Sequence, residues 1–399
     1  MATTRTRPDV DLIDGTFHGG DPHPAYAWMR RHEPVYRDER NALWGVTRHA
    51  DIRAAGQDPR TFSSAEGSRP DSPHMPFMNN YDDPEHRRRR GLVSQGFTPR
   101  RVADLEPRIR EVVDGIIDRV SEAGSCDFVN DIAAPLPLIV IGEMLGFARE
   151  DFDDLLRWSD EMVGALGAPD AGAMEAATRA FSDYSAYISR VIEDRRRTGS
   201  TEDPVGVFVH AEFEGERLDP DSLVYETLNL LIGGDETTRH AISGGMYALL
   251  RDPSLLELIR ADRSLLPGAV EEMLRWTSPI TGMARTATRD VELGGARIAA
   301  GDRLFLLYPS ANRDEDVFDE PGTFDVRRSP NDHLAFGHGS HYCLGAPLAR
   351  LEMRVMFDRL LDRLPDLALA GEEPPPMRQA NFIVGFEAMP VVFSPASAG

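Results

Sequence analysis

A chain of 399 residues exceeds the length at which many single cores divide, so it holds one large domain or two ordinary ones. Hydrophobic residues at 41% and charged ones at 28% exclude the disordered and fibrous classes. The net charge of −22 disfavours nucleic acid or an anionic membrane as the main partner.

The opening MATTRTRPDVDL has no apolar run after its basic residues, so no secretion signal is expected. Alternation at 34–46 predicts strand. Arg87–Arg90, Arg100 and Arg101 form a basic island, suited to an anion or an acidic protein if not simply a solvated helix face. The most apolar stretch, 133–147, carries Glu143 and two prolines and is shorter than the ~20 residues that cross a bilayer. A cytoplasmic protein without a membrane anchor is expected. Helical periodicity runs through 101–122, 151–165, 173–197, 221–250, 255–276 and 344–364. Further alternation lies at 282–306 and 381–393, the last after a surface turn at Pro374–Pro376. No repeat or Ser/Gly/Pro linker divides the chain, so the expectation is a single α+β domain over 1–399, mainly α.

The stretch from Asp219 to Leu250 is the most informative. Asp219 suits an N-cap and Pro220 the first helical position, while Arg251-Asp252-Pro253 ends the helix. Such a helix spans ~45 Å, and its apolar residues on most sides predict burial. Its centre nevertheless reads Gly233-Gly234-Asp235-Glu236-Thr237-Thr238. Each glycine costs ~1 kcal/mol relative to alanine, and buried carboxylates cost more unless paired. A functional bulge, or a groove against a flat ligand, accounts for that choice.

The two cysteines, Cys126 and Cys343, make no disulfide framework. Cys126, in a turn leading into a strand, is read as structural. Cys343 lies in FGHGSHYCLGAPLAR, residues 336–350, between a glycine-rich turn and a helix start. Free amides and the helix dipole favour thiolate there. A nucleophile needs a base and an oxyanion site, and zinc needs three or four ligands; neither pattern is present. One thiolate as sole protein ligand fits haem iron.

The pattern Phe336-x-x-Gly339-x-His341-x-Cys343-x-Gly345 resembles the haem-binding loop of the cytochrome P450 family. Glu272-Met273-Leu274-Arg275, alone no more than an ordinary surface pair, resembles that family's E-x-x-R motif, and the resemblance implies Arg327 as its third partner. The Gly-Gly-Asp-Glu-Thr-Thr segment resembles the oxygen-activation groove, which makes Glu236 and Thr237 the catalytic acid–alcohol pair. The same resemblance implies haem b with Cys343 on the iron, and His86, Arg90, Arg285 and His341 on its propionates. Arginine suits a carboxylate through its bidentate fork. His333 and His338 are left without a role.

The likeness covers the whole chain, including ANRDEDVFDEP at 311–321, and leaves no length for an attached electron-transfer module. It therefore implies a ferredoxin and ferredoxin reductase as separate donors, met by Arg87–Arg89, Arg100, Arg101, His338 and Arg354. Residues 230–245, 265–279, 380–395 and RPDSPHMPFMN at 69–79 are similar to the actinobacterial members that oxidise steroid side chains; the cysteine loop is the more general version. The expected pocket is Met75, Phe77, Met78, Ile232, Gly233, Ile280, Met283, Phe382 and Ile383, all suited to a lipophilic substrate. The expected activity is hydroxylation with O2, a sterol side chain being favoured. Tailoring of a polyketide, macrolide or terpenoid is the alternative, and a haem carrier without turnover is a third, which the Glu236-Thr237 pair disfavours.

Overall fold

The computed structural model describes residues 6–72, 74–166, 171–213 and 215–395. Residues 1–5 of the opening stretch and Pro73 of the 69–79 segment lie outside the described residues. The helices that build and hold the site are α1 (His49–Gln57), α2 (Glu85–Ser94), α3 (Glu106–Ser121), α4 (Pro135–Met144), α5 (Phe152–Gly164), α6 (Ala171–Thr198), α7 (Pro220–Arg251), α8 (Leu266–Thr277) and α9 (Ala346–Arg363). The mainly α, α+β expectation is met.

The cap signals of α7 act as expected. Asp219 accepts from the Ser222 amide at 2.8 Å, Pro220 occupies the first turn, and Asp252 follows the last residue. Its 32 residues extend ~48 Å. α4, α8 and α9 all pack against it. Leu223, Leu231, Ile242, Met246 and Leu249 are buried in the largest apolar cluster, each worth roughly 1.5–3 kcal/mol of transfer free energy. α4 is the apolar 133–147 stretch, and it is a core helix: Leu136, Leu138, Val140 and Ile141 are all buried.

The strands form small sheets at the side of this bundle. The largest runs Val35–Asp38, Leu43–Val46, Arg303–Leu306, Met283–Ala287, Phe62–Ser63, and only the pairing of Arg303–Leu306 with Leu43–Val46 is parallel. A second joins Ala368–Leu369, Pro390–Val392 and Ser125–Asp127.

Several local expectations change. The 255–276 pattern is two helices, Pro253–Ala261 and α8, because Asp262 caps a tight turn through the Ser264 amide and Pro267 starts the next helix. The 282–306 stretch is four strands, interrupted by turns at Gly294-Gly295 and Gly301. In 381–393 only Pro390–Val392 is a strand, with Ile383 bridged singly to Ile280. Cys126 lies within a strand, opposite Val391. Finally, α7 contains no bulge: its turns are regular through both glycines.

Candidate functional site

Cys343 sits where the glycine-rich loop meets α9. Gly337 and Gly339 hold φ of 68° and 79°, and a Cβ at Gly339 would lie 1.8 Å from the Gly56 carbonyl of α1. The Cys343 amide donates to Phe336 O at 2.9 Å and closes the loop. Burial pushes the thiol upward, while amide donation from Gly345 and Ala346 and the charges of Arg90 and Arg350 oppose it. Those donors are the free N–H groups of a helix start, which stabilise a thiolate. Among the described residues, no three His, Cys, Asp or Glu side chains are grouped to hold a metal ion.

Four cationic or titratable groups converge beside the loop. The rings of His86 and His341 lie 4.0 Å apart and tilted by 34°. Arg90 donates to Tyr342 O at 2.6 Å. Arg285 is buried and donates to its neighbour's carbonyl, Ala284 O, at 2.7 Å. Burial, then the Arg285, His86 and Arg90 charges, depress His341 to about 2. Among the described residues no carboxylate ion-pairs with Arg90 or Arg285. His86 Nδ1 lies 3.4 Å from Asp83 Oδ1 and burial lowers its pKa as well, so the standing positive charge is that of Arg90 and Arg285, which suits an anionic ligand with the two imidazoles beside it.

The centre of α7 sorts its polar residues by face. Gly234 is tight, since a Cβ would meet Ile141 Cγ1 at 2.7 Å, whereas Gly233 has no protein atom within 4 Å of its Cβ direction. Thr237 Oγ1 donates back to Gly233 O at 3.0 Å. Glu236 is fully buried and held by three donors: Arg239 at 2.6 Å, Arg378 at 2.7 Å and Ser159 at 3.2 Å. Although burial alone would raise it, the Arg239 and Arg378 guanidiniums keep it well below the carboxylate range. Asp160 completes this network, accepting from Arg239 and Arg378. Asp235 has neither carboxyl oxygen partnered, and burial drives it upward toward the neutral acid. Burial does the same to Glu352 of α9, reinforced by the charge of Asp235.

Glu272 and Arg275 pair at 2.7 Å with no solvent exposure. Arg275 also donates to the carbonyls of Asn312, Pro321 and Thr323, and Glu272 accepts from the Asp325 amide and Asn331. The third partner is Arg328, whose Nε lies 3.1 Å from Glu272 Oε2. This corrects the assignment to Arg327, an exposed residue whose amide bonds Asp325 instead. Between adjacent residues of a turn, only the path of the backbone decides which side chain faces inward.

Of the expected pocket residues, Met75, Phe77, Ile232, Gly233, Ile280, Met283 and Phe382 keep exposed surface, while Met78 and Ile383 are packed into the interior. Arg89 leaves the expected basic surface: it is buried and paired with Glu85 and Glu226.

Residues 168–390 match the family model for cytochrome P450. The chain is 49% identical over 399 residues to the steroid C26-monooxygenase of Mycolicibacterium smegmatis, covering 100% of this chain and 99% of the relative. It is 50% identical to the steroid C26-monooxygenase of Mycobacterium tuberculosis, covering 98% of each. The crystal structure of CYP109E1 from Bacillus megaterium in complex with testosterone superposes with a TM-score of 0.86 at 31% identity, over 94% of this chain and 98% of that one. The chain belongs to the cytochrome P450 family.

A cytochrome P450 is a monooxygenase that holds haem with thiolate-ligated iron and takes electrons from a redox partner. The residues of this P450 fit that group. A thiol lies on free helix amides, two arginines with two imidazoles beside them suit an anion, and Gly233 leaves the middle of α7 without a side chain. Among the described residues no helix is long and apolar enough to cross a membrane.

Two clamps of this P450 escape sequence reasoning. Arg350 of α9 grips Glu271 of α8 through two contacts of 2.7 Å, lies over the Phe336 ring and donates to Tyr342 Oη. His333, left without a role, contacts Glu271 Oε2 at 3.1 Å. The other clamp is the Asp160–Arg378 network on Glu236. Arg239 stands three residues beyond Glu236 and was legible as a helical pair; Asp160 and Arg378 carry no local signal.

Proposed function

We propose that this P450 is a single haem domain, residues 1–399, that hydroxylates the terminal part of a steroid side chain with electrons passed from a ferredoxin and its reductase. Its full-length identity of about half to two steroid C26-monooxygenases carries the substrate part of the reading. The apolar, methionine-bearing lining of Met75, Phe77, Ile232, Ile280, Met283 and Phe382 supports it.

In this reading Cys343 is the axial ligand, kept as thiolate by the Gly345 and Ala346 amides. His86, Arg90, Arg285 and His341 hold the propionates. Bound there, haem activates O2 and inserts one oxygen atom into a C–H bond. The chain supplies orientation and protons. Thr237 presents a hydroxyl beside Gly233, where a ligand can approach the α7 backbone closely. Glu236 is the acid that passes protons toward that hydroxyl, and it must first loosen from Arg239 and Arg378, because a carboxylate held by three donors is a poor proton source. The exposed Arg87, Arg100 and Arg101 steer an acidic ferredoxin by charge.

Optical titration of the purified protein with cholest-4-en-3-one, cholesterol, a macrolide, a sesquiterpene and a fatty acid tests the reading. A saturable shift of the main haem band with the sterols alone is expected. A shift with the macrolide or sesquiterpene instead would move the function to secondary-metabolite tailoring. Cys343→Ala serves as the control for ligation: its thiolate-type spectrum should disappear, and a retained one would remove Cys343 from the iron.

A further inference from the structure

Arg89 stands within the basic run of α2 and points the other way from its exposed neighbour Arg87. Its side chain is 7% exposed, and it reaches Glu226 of α7, which is 0% exposed, at 3.2 Å. The same guanidinium donates to Glu85 Oε1 at 2.6 Å and to the Pro76 carbonyl at 3.1 Å, and lies 4.3 Å above the Tyr81 ring. Pro76 and Tyr81 bracket the segment 76–81, which follows directly on Met75, and the Met78 amide acts to lower the Glu226 carboxyl against its burial. One helical turn along α7, Asn229 accepts from Asn79 at 3.2 Å. One side chain of α2 and two of α7 thus grip the segment that bears Met75 and Phe77.

Glu226, Asn229 and Gly233 follow one another at three- and four-residue spacing, so they share a face of α7. The grip therefore ends where the expected substrate wall begins. Glu226 Oε2 has no partner, and burial pushes the carboxyl up to about 7. Such a pair is a poor choice for stability alone, since well-packed apolar residues often do as well, but it fixes position sharply. We propose that Arg89 and Glu226 are positioning residues that set the height of the 75–81 segment over α7 and thereby the depth and direction at which substrate enters the pocket. The inference rests on the proposed lining of that pocket by Met75 and Phe77.

The experiment compares full-length, haem-loaded wild type with Arg89→Ala, Arg89→Lys and Glu226→Gln. It reads cholest-4-en-3-one affinity from the haem band shift, the ratio of hydroxylated positions in the product, and amide hydrogen exchange over 75–81. Arg89→Ala should weaken affinity by at least about tenfold and spread oxidation to neighbouring carbons, with haem content and thiolate spectrum kept. Arg89→Lys should recover only part of this, because an ammonium lacks the guanidinium fork that holds Glu85, Glu226 and Pro76 O together. Wild-type affinity and product ratio in haem-loaded Arg89→Ala would overturn the proposal. Should that variant not fold, Asn79→Ala, which removes the half-buried second tie, takes its place with the same measurements. A smaller loss of affinity and of product selectivity is then expected, and wild-type values overturn the proposal. If cholest-4-en-3-one fails to shift wild type itself, the steroid reading falls. Hydrogen exchange then decides the positioning role: faster exchange at 75–81 in Arg89→Ala upholds it, and unchanged exchange overturns it.

Discussion

Thr237 and Glu236 are neighbours in sequence but occupy opposite conditions. The threonine hydroxyl is tied only to its own helix, through Gly233 O, whereas the glutamate is locked by Arg239, Arg378 and Ser159. Removing the hydroxyl should therefore spare the fold and damage the chemistry. Thr237→Ala is expected to bind haem and ligand as wild type does, while product formed per electron consumed falls by at least about tenfold. Comparing NAD(P)H consumption with product checks this; tight coupling would mean the groove has been placed wrongly. The legibility of the two residues differs for the same reason. A Glu-Thr pair in a glycine-marked helix stands out from local cost alone. That the acid is held by Asp160-linked arginines does not, since Arg378 lies 142 residues away in the chain.

At the scale of helices, α7 and α8 each carry a contrast between adjacent residues. On α7, Gly234→Ala drives a methyl into Ile141 and should lower stability by roughly 1–3 kcal/mol despite better helix propensity. Gly233→Ala meets no protein atom, so melting should not fall, but the ligand-induced haem shift should weaken. Equal melting losses in the two variants would contradict this division of faces. On α8, Glu272 serves the irregular segment 312–331, the meander, and Glu271 serves the cysteine loop. The Glu271 carboxyl is lowered to about 2: burial would raise it, but Arg350 and His333 outweigh that. A folded pKa below the unfolded one contributes stability above about 4.5, and the contribution disappears as pH falls toward about 2. Glu271→Gln should accordingly be less stable than wild type at pH 7, with the gap closing between about pH 4.5 and 2 in acid titrations of the haem band. A gap that does not change with pH would place the stabilisation elsewhere.

Across the whole molecule, α8 is tied to the 312–331 segment through Glu272 and Arg275 and to α9, next to the cysteine loop, through Glu271 and Arg350. Glu272 and Arg275 have no exposure and all their main bonding directions are used, so this is the point where the meander is tied to the core. Arg328→Ala should destabilise by roughly 1–3 kcal/mol by leaving part of the Glu272 charge unpaired, whereas Arg327→Ala should stay within about 0.5 kcal/mol. Thermal melting of the two variants separates them, and equal effects would refute the exchange of partners. The loop, the long helix with its caps and the E-x-x-R pair were readable because each signal is local: glycines where φ is positive, proline where an amide is spare, carboxylates where burial would otherwise be prohibitive. The split of 255–276, the inward turn of Arg89 and Met78, and the choice of Arg328 over Arg327 were not. Those depend on where distant backbone passes, because a charged or apolar side chain on a helix or turn has the same local preferences whether it meets solvent or a partner 137 residues away, as Arg89 meets Glu226.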